Sequence, residues 1–294
     1  MKSMKNTLIP LMAMSLVLYL GSSSLAENQP QARPDVEKQR KDAEQQAEKT
    51  LDKEAVAAID KTQAAIKAIA ANKTDEALAA IEQATGKINI LLARNPATAL
   101  IPISAEVDVT EAAPLDIQAI KARAKAAERA MSDKNYPTAR VLLYGLTSEI
   151  RVRIYNLPLA TYPAALKEAA RLLDQKKSQE AKTVLLTALN TLVAIDRVTP
   201  LPLVVAQTEI DEAQAVREKD KDAAQKHLAT AKSEVERAKE LGYTGNDPEY
   251  AALDKAITDL ETQLKGNEDT ASFFSKLKER MTAFFKRQSE SQRS

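Results

Sequence analysis

Few residues in this sequence could carry covalent or metal chemistry. Among 294 residues there is one histidine, His227, and no cysteine. Any site that needs two imidazoles, a thiolate nucleophile, a thiolate metal ligand or a disulfide is therefore excluded. The carboxylates Glu209, Asp211 and Glu212 could be offered as acid/base or metal groups. On a helix, however, the adjacent Asp211 and Glu212 diverge, no third ligand is indicated, and a solvated face accounts for them better. Six glycines in the whole chain are too few to build a phosphate loop or a nucleophile elbow. The expectation is a protein without catalytic residues, cofactor or metal, which acts by binding.

Two groups of side chains have the character of binding surfaces. Near the C-terminus, Phe273, Phe274, Leu277, Met281, Phe284 and Phe285 share one face of a helix, and they include all 4 phenylalanines of the chain. From residue 276 to the end, 6 basic residues accompany 2 acidic ones. An apolar face backed by cations suits an anionic lipid surface or the groove of a partner protein. It equally suits docking on the chain's own bundle. The second group is Tyr136, Tyr144, Tyr155 and Tyr162, whose apolar rings and polar tips could line a groove for a peptide or small molecule. Core or rim positions with satisfied hydroxyls are the alternative.

The elements that must position these groups are helical. Hydrophobic residues make up 44% and charged residues 28%, with 4% aromatics and no tryptophan; the abundance of alanine suits closely packed helices. A helix–turn–helix unit recurs, marked by a polar turn with lysine and then an alanine that opens the second helix: Ala77, Ala139, Ala181 and Ala224, spaced by 62, 42 and 43 residues. The small alanine side chain lets the second helix pack tightly on the first. The second helices carry apolar stripes: Leu78, Ile81, Ile88, Leu91 and Leu92 in one, Leu142, Leu143, Leu146 and Ile150 in another. The third runs through Val184, Leu185, Ala188, Leu189, Leu192 and Ile195. The expected fold is all-α, a stack of antiparallel hairpins whose spacing exceeds that of tetratricopeptide repeats.

One stretch breaks the helical texture. Ile101, Ile103, Ala105, Val107 and Val109 alternate with Ser104, Glu106 and Asp108, the period of a half-buried strand. Arg151 and Arg153 alternate with Val152 and Ile154, either a second extended segment able to pair with 101–109 or a continued helix with exposed arginines. An apolar-Pro-apolar joint closes each of three hairpins, as Ile101-Pro102-Ile103, Leu157-Pro158-Leu159 and Leu201-Pro202-Leu203.

Residues 1–26 read as a secretory signal: Lys2 and Lys5, an apolar run from 7 to 20, and Ser24-Leu25-Ala26 before a cut at Glu27. Removal of that segment leaves 40 basic against 41 acidic residues. This balance argues against nucleic acid as a partner. The expected division is a signal peptide (1–26), a polar proline-bearing linker (27–34), a helical domain (35–265) and a C-terminal amphipathic tail (266–294). Within the domain, Asp35 caps a charged helix whose stripe runs on from Ala47 through Leu51 and Ala55 to Ile69. Its early part, with only alanines on that stripe, projects beyond the body.

The run 100–107 (Leu-Ile-Pro-Ile-Ser-Ala-Glu-Val), the later Asn156-Leu157-Pro158-Leu159, and the hairpin over 164–193 with its Asp174-Gln175-Lys176-Lys177 turn resemble the YfdX family. The similarity covers about residues 55–211. It implies an exported, mainly helical bacterial protein linked to envelope, acid or heat stress, with no established reaction and no catalytic residues to carry over. The expected function is non-enzymatic binding in the periplasm, chaperone-like towards unfolded clients, with self-association that loosens as carboxylates protonate. A scaffold for one envelope protein, or for the membrane surface through the C-terminal helix, is the other reading.

Overall fold

The computed structural model describes residues 34–243, 247–266 and 270–291. The expected signal peptide and all but the last residue of the expected linker lie outside them. Among the described residues, three units of two helices and a strand follow one another. They are α2 (Lys53–Ala70), α3 (Thr74–Arg94) and β1 (Leu100–Glu111); α4 (Ile117–Ser132), α5 (Tyr136–Tyr144) and β2 (Ser148–Pro158); and α6 (Tyr162–Asp174), α7 (Ser178–Asn190) and β3 (Val193–Pro200). A helix α1 (Pro34–Thr50) precedes them. Four more follow: α8 (Leu201–Val216), α9 (Lys221–Glu240), α10 (Glu249–Lys265) and α11 (Ala271–Ser291).

Local chemistry sets these boundaries. The first three hairpins turn in the same way, through a residue in the left-handed region: Asn72 (φ 58°), Lys134 (φ 58°) and Lys176 (φ 63°). The next amide then reaches back five residues, Lys73 to the Ala68 carbonyl (2.9 Å), Asn135 to Ala130 (2.8 Å) and Lys177 to Leu172 (2.9 Å). This is the Schellman closure of a helix C-terminus. The alanine that opens each second helix is buried to 1% exposure or less, as are its counterparts: Ala77, Ala139, Ala181 and Ala224. Close approach of the paired helices is what those small side chains allow.

The three strands form one antiparallel sheet in the order β1-β2-β3. Val107 lies opposite Val152 and Ala105 opposite Ile154, while Glu106 and Asp108 face Arg153 and Arg151. Apolar residues thus share one face and charged residues the other. On the charged face Arg153 grips Asp196 with two hydrogen bonds, 2.7 and 2.8 Å. Pro102, which has no N–H to donate, sits on an edge strand beside an irregularity between Pro102 and Ser104.

The alternation over 101–109 is a strand, and the second extended segment pairs with it. The minor β element nevertheless has three strands, not two, and the third corrects the helical stripe that included Ile195. That residue lies in β3, opposite Ile154. A similar correction applies to Leu142, Leu143, Leu146 and Ile150. Helix α5 ends at Tyr144, Ile150 belongs to β2, and Leu143 is 52% exposed. Three-to-four spacing carried the expected stripe across the Gly145 cap, where the chain changes from helical to extended backbone.

Two large cores flank the sheet. One joins α2, α3, α6 and α7 with Ile101, Ile103, Leu157 and Leu159. The other joins α8 to α11. A small cluster of Val36, Ile150 and Leu201, with Ala43 and Val107 against it, lies between α1 and the sheet. Helix α1 therefore packs on the body and does not project from it. The expected continuous helix breaks at Leu51-Asp52, where the Asp52 carboxylate accepts hydrogen bonds from the Glu54 and Ala55 amides (2.8 and 3.0 Å) and starts α2.

Candidate binding surface

The α4–α5 hairpin differs from its two sister hairpins in what it buries. Its turn-facing alanines Ala127, Ala130 and Ala139 are buried and Ile120 anchors its base, but none of these belongs to the two large cores. Residues 131–138, the whole tip, are exposed. Large apolar side chains stand in solvent along one end and flank: Leu115 (70%), Met131 (49%), Tyr136 (57%), Val141 (73%), Leu143 (52%) and Tyr144 (64%). Isolated exposed apolar residues are ordinary, whereas five on one short hairpin, with Leu115 just before it, mark an interaction surface. Among them stand the exposed cations Lys125, Arg129, Lys134 and Arg140.

The base of the hairpin is held by buried polar contacts. Arg237 of α9, 1% exposed, donates to the Pro114 carbonyl (3.1 Å) and to Glu234 (3.0 Å). The Tyr243 hydroxyl accepts from the Ser148 amide (2.7 Å) and donates to Glu149 (3.0 Å). Burial pushes that phenol well above its ordinary range. Arg123 of α4 donates to the Gly145 carbonyl at 2.6 Å, and a Cβ at Gly145 would meet the same guanidinium at 2.6 Å. A side chain at Gly145 would therefore displace the Arg123 guanidinium from that carbonyl. A rigid base and a bare tip are thus built into one element.

The tyrosines expected to line one groove are divided. Tyr136 and Tyr144 are on the bare flank. Tyr155 sits on the charged face of the sheet and donates to Glu106 at 3.3 Å. Tyr162 is fully buried, donates to the Thr62 hydroxyl at 2.8 Å, and burial raises its phenol to about 12. No common groove exists, because Tyr155 and Tyr162 lie beyond the end of α5 in a strand and in the next hairpin.

The C-terminal apolar face is also placed differently from an open surface. Phe274, Leu277, Met281 and Phe284 are buried in the α8–α11 core and Phe273 packs at its rim; the Phe285 side chain is outside the described residues. The guanidinium of Arg217 stands 5.9 Å from the Phe274 ring centre. Of the three sites open to this face, its own bundle takes it. The reason is that α8 and α10 leave Ile210, Leu253, Ile257 and Leu260 in need of a cover.

His227 pairs with Glu209 at 2.7 Å, and Asp211 with Lys278 at 2.8 Å. Among the described residues no group of acidic or histidine side chains could hold a metal ion, and no helix is long and apolar enough to cross a membrane. The exposed residues Leu115, Met131 and Val141 were not singled out by spacing, and Leu143 was assigned to a buried stripe. Their apolar character reads as core until the absence of a neighbour on that side is seen.

A family model described as YfdX protein matches residues 58–198, from α2 into β3. A solved structure of Salmonella Typhi YfdX is similar at 16% identity over 51% of this chain and 93% of that one, with a TM-score of 0.36. A search of the curated proteins finds no match. Through residues 58–198 the chain belongs to the YfdX family.

Proposed function

We propose that this chain is an exported, non-enzymatic binding protein of the periplasm that holds unfolding proteins during acid or heat stress. The observation that carries the reading is the bare α4–α5 hairpin, with five large apolar side chains in solvent, and Leu115 just before them, on an element anchored at its base. Unfolding proteins expose apolar segments, and a hairpin of this kind offers them apolar area without demanding one fixed shape. Its exposed cations add a preference for segments that also carry carboxylates.

The test is suppression of light scattering from an unrelated unfolding protein, at neutral and mildly acidic pH. The whole chain should suppress aggregation, and a Val141→Asp, Leu143→Asp double variant should lose most of that effect while melting as the parent does. Both positions are exposed, so the variant is expected to fold. Equal suppression by the variant would refute the assignment to this hairpin.

A second reading, a scaffold for one envelope protein, is favoured by the concentration of exposed large apolar side chains on and just before a single hairpin. Stoichiometric capture of one partner by the parent and not by the variant, without suppression of scattering, would select it. The C-terminal helix is no longer the candidate for membrane contact, since its apolar face is inside the α8–α11 core.

A further inference from the structure

Strand β1 lies at the edge of the sheet, with β2 on one side only. Its ladder with β2 is bracketed by two bonds, from the Leu159 amide to the Ala99 carbonyl and from the Ala112 amide to the Thr147 carbonyl, both 2.9 Å. In an antiparallel pair, alternate residues turn their N–H and C=O towards the partner strand. Counting back from Ala112, these are Thr110, Asp108, Glu106 and Ser104, so Ala105, Val107 and Val109 aim their backbone groups away from β2. At the start of this outer edge the Pro102 carbonyl accepts from the Asp52 amide at 3.0 Å. The outward groups of Ala105, Val107 and Val109 have no such partner among the described residues. A row of N–H and C=O groups of this kind is the template on which a further strand assembles. Helix α1 does not take that place. It meets the strand from the apolar face, where Val107 and Ala43 pack on the cluster that contains Val36.

The side chains beside this edge select what pairs with it. Ser104, Glu106 and Asp108 are exposed on the charged face. Glu106 accepts a hydrogen bond from Tyr155, and Asp108 has no ion pair among the described residues. The arginines opposite them are engaged elsewhere, Arg151 with Glu149 (2.5 Å) and Arg153 with Asp196 (2.7 Å). A second copy of β1, laid antiparallel about Val107, brings Glu106 of one copy opposite Asp108 of the other. Like charges directly opposite one another destabilise a strand pair, whereas opposite charges stabilise it. The two carboxylates therefore bar self-pairing and favour a strand with lysine or arginine at alternate positions.

We propose that the outer edge of β1, over residues 105–109, takes up an extended basic segment of another protein as an antiparallel fourth strand, with Glu106 and Asp108 pairing its cations. This surface is independent of the α4–α5 hairpin, whose exposed cations favour the opposite charge.

The experiment follows the fluorescence anisotropy of a labelled peptide, Thr-Lys-Val-Lys-Val-Lys-Thr, on titration with the whole chain. It should bind one to one, and the same peptide with glutamate for lysine roughly tenfold more weakly. Glu106→Gln with Asp108→Asn, both exposed positions, should weaken the lysine peptide roughly fivefold. With lysines opposite Glu106 and Asp108, the valine amides face β1 and the lysine amides face solvent. N-methylation of both valines should then abolish binding, and N-methylation of two lysines should not. The Val141→Asp, Leu143→Asp variant should bind the peptide as the parent does, so failure of the hairpin reading leaves this one standing. The proposal is overturned if lysine and glutamate peptides bind alike, if the carboxamide variant binds unchanged, if the two methylated peptides behave alike, or if the hairpin variant loses the peptide. A second copy on the edge is the other occupant to test: a parent dimer in sedimentation that Val109→Pro, which removes one outward N–H, converts to monomer would likewise overturn it.

Discussion

Two buried tyrosines show how much one hydroxyl's surroundings decide. Tyr162 donates to Thr62 at 2.8 Å across two hairpins. Tyr250, 6% exposed in the α8–α11 core, meets Phe284 edge-on with ring centres 5.6 Å apart, yet its hydroxyl has no partner among the described residues. Burial pushes its phenol well above the ordinary range. An unpaired buried polar group costs about 1–3 kcal/mol, whereas a made hydrogen bond contributes only about 1 kcal/mol. Tyr250→Phe is therefore expected to stabilise the protein by about 1 kcal/mol, and Tyr162→Phe to destabilise it by a similar amount. Urea unfolding with unchanged slope checks both. A loss of stability in Tyr250→Phe would mean that the hydroxyl finds a partner, a water molecule included. Nothing in residue type separates these two tyrosines, since the difference lies in which neighbour a distant segment supplies.

Helix α11 illustrates the element scale. Four of its large side chains are fully buried against α8–α10. At roughly 1.5–3 kcal/mol each, their loss amounts to roughly 6–12 kcal/mol, comparable with the roughly 5–15 kcal/mol that holds a typical domain together. Truncation after Gly266 is expected to unfold the C-terminal bundle. Hydrogen exchange should then show lost protection over α8–α10 and retained protection in α2, α3, α6 and α7. Undiminished protection in α8–α10 would show that α11 adds little.

The amphipathic face of α11 was legible from the spacing of its phenylalanines, but its destination was not. An apolar stripe has the same pattern whether a bundle, a membrane or a partner covers it. The hairpins were legible for a local reason, the polar turn and the buried alanine. Strand β1 was legible because its alternation is strict. Strand β3 was not, because Val193-Ala194-Ile195 continues the apolar spacing of α7, and only pairing with β2 makes it extended. The bare flank of α4–α5 was hidden for the opposite reason: Leu143 and Ile150 look like one stripe until the Gly145 cap separates them.

For the whole molecule, acid is the informative variable. The Arg153 guanidinium holds the Asp196 carboxyl below its ordinary value, with Arg151 helping, and Arg40 holds Glu37 down to about 2. Arg171 lowers Glu168 in the same way. A carboxyl whose folded pKa is depressed stabilises the fold above its unfolded pKa, about 4 for these types. That contribution is lost as pH falls through the folded value. Mild acid near pH 5 therefore leaves these pairs intact, and loss of stability sets in below about pH 4. Glu37 and Glu168 pair with arginines three residues along their own helices, so their protonation weakens single helices. Asp196 instead joins β3 to β2, and without its charge Arg151 and Arg153 remain side by side on the central strand. Asp196→Asn is expected to lower the melting temperature at neutral pH and to flatten the decline between about pH 4 and pH 2. Melts recorded across that range check it, and a parallel decline in parent and variant would remove Asp196 from the account. Since these pairs persist near pH 5, any growth of client holding there must come from other groups, surface charge among them. As other carboxylates on the body and on the client protonate, repulsion among them falls and attraction to the hairpin's cations weakens. Added salt separates the two contributions: holding that survives salt is carried by the exposed apolar side chains of α4–α5, whereas holding at neutral pH that salt abolishes is carried by Lys125, Arg129, Lys134 and Arg140.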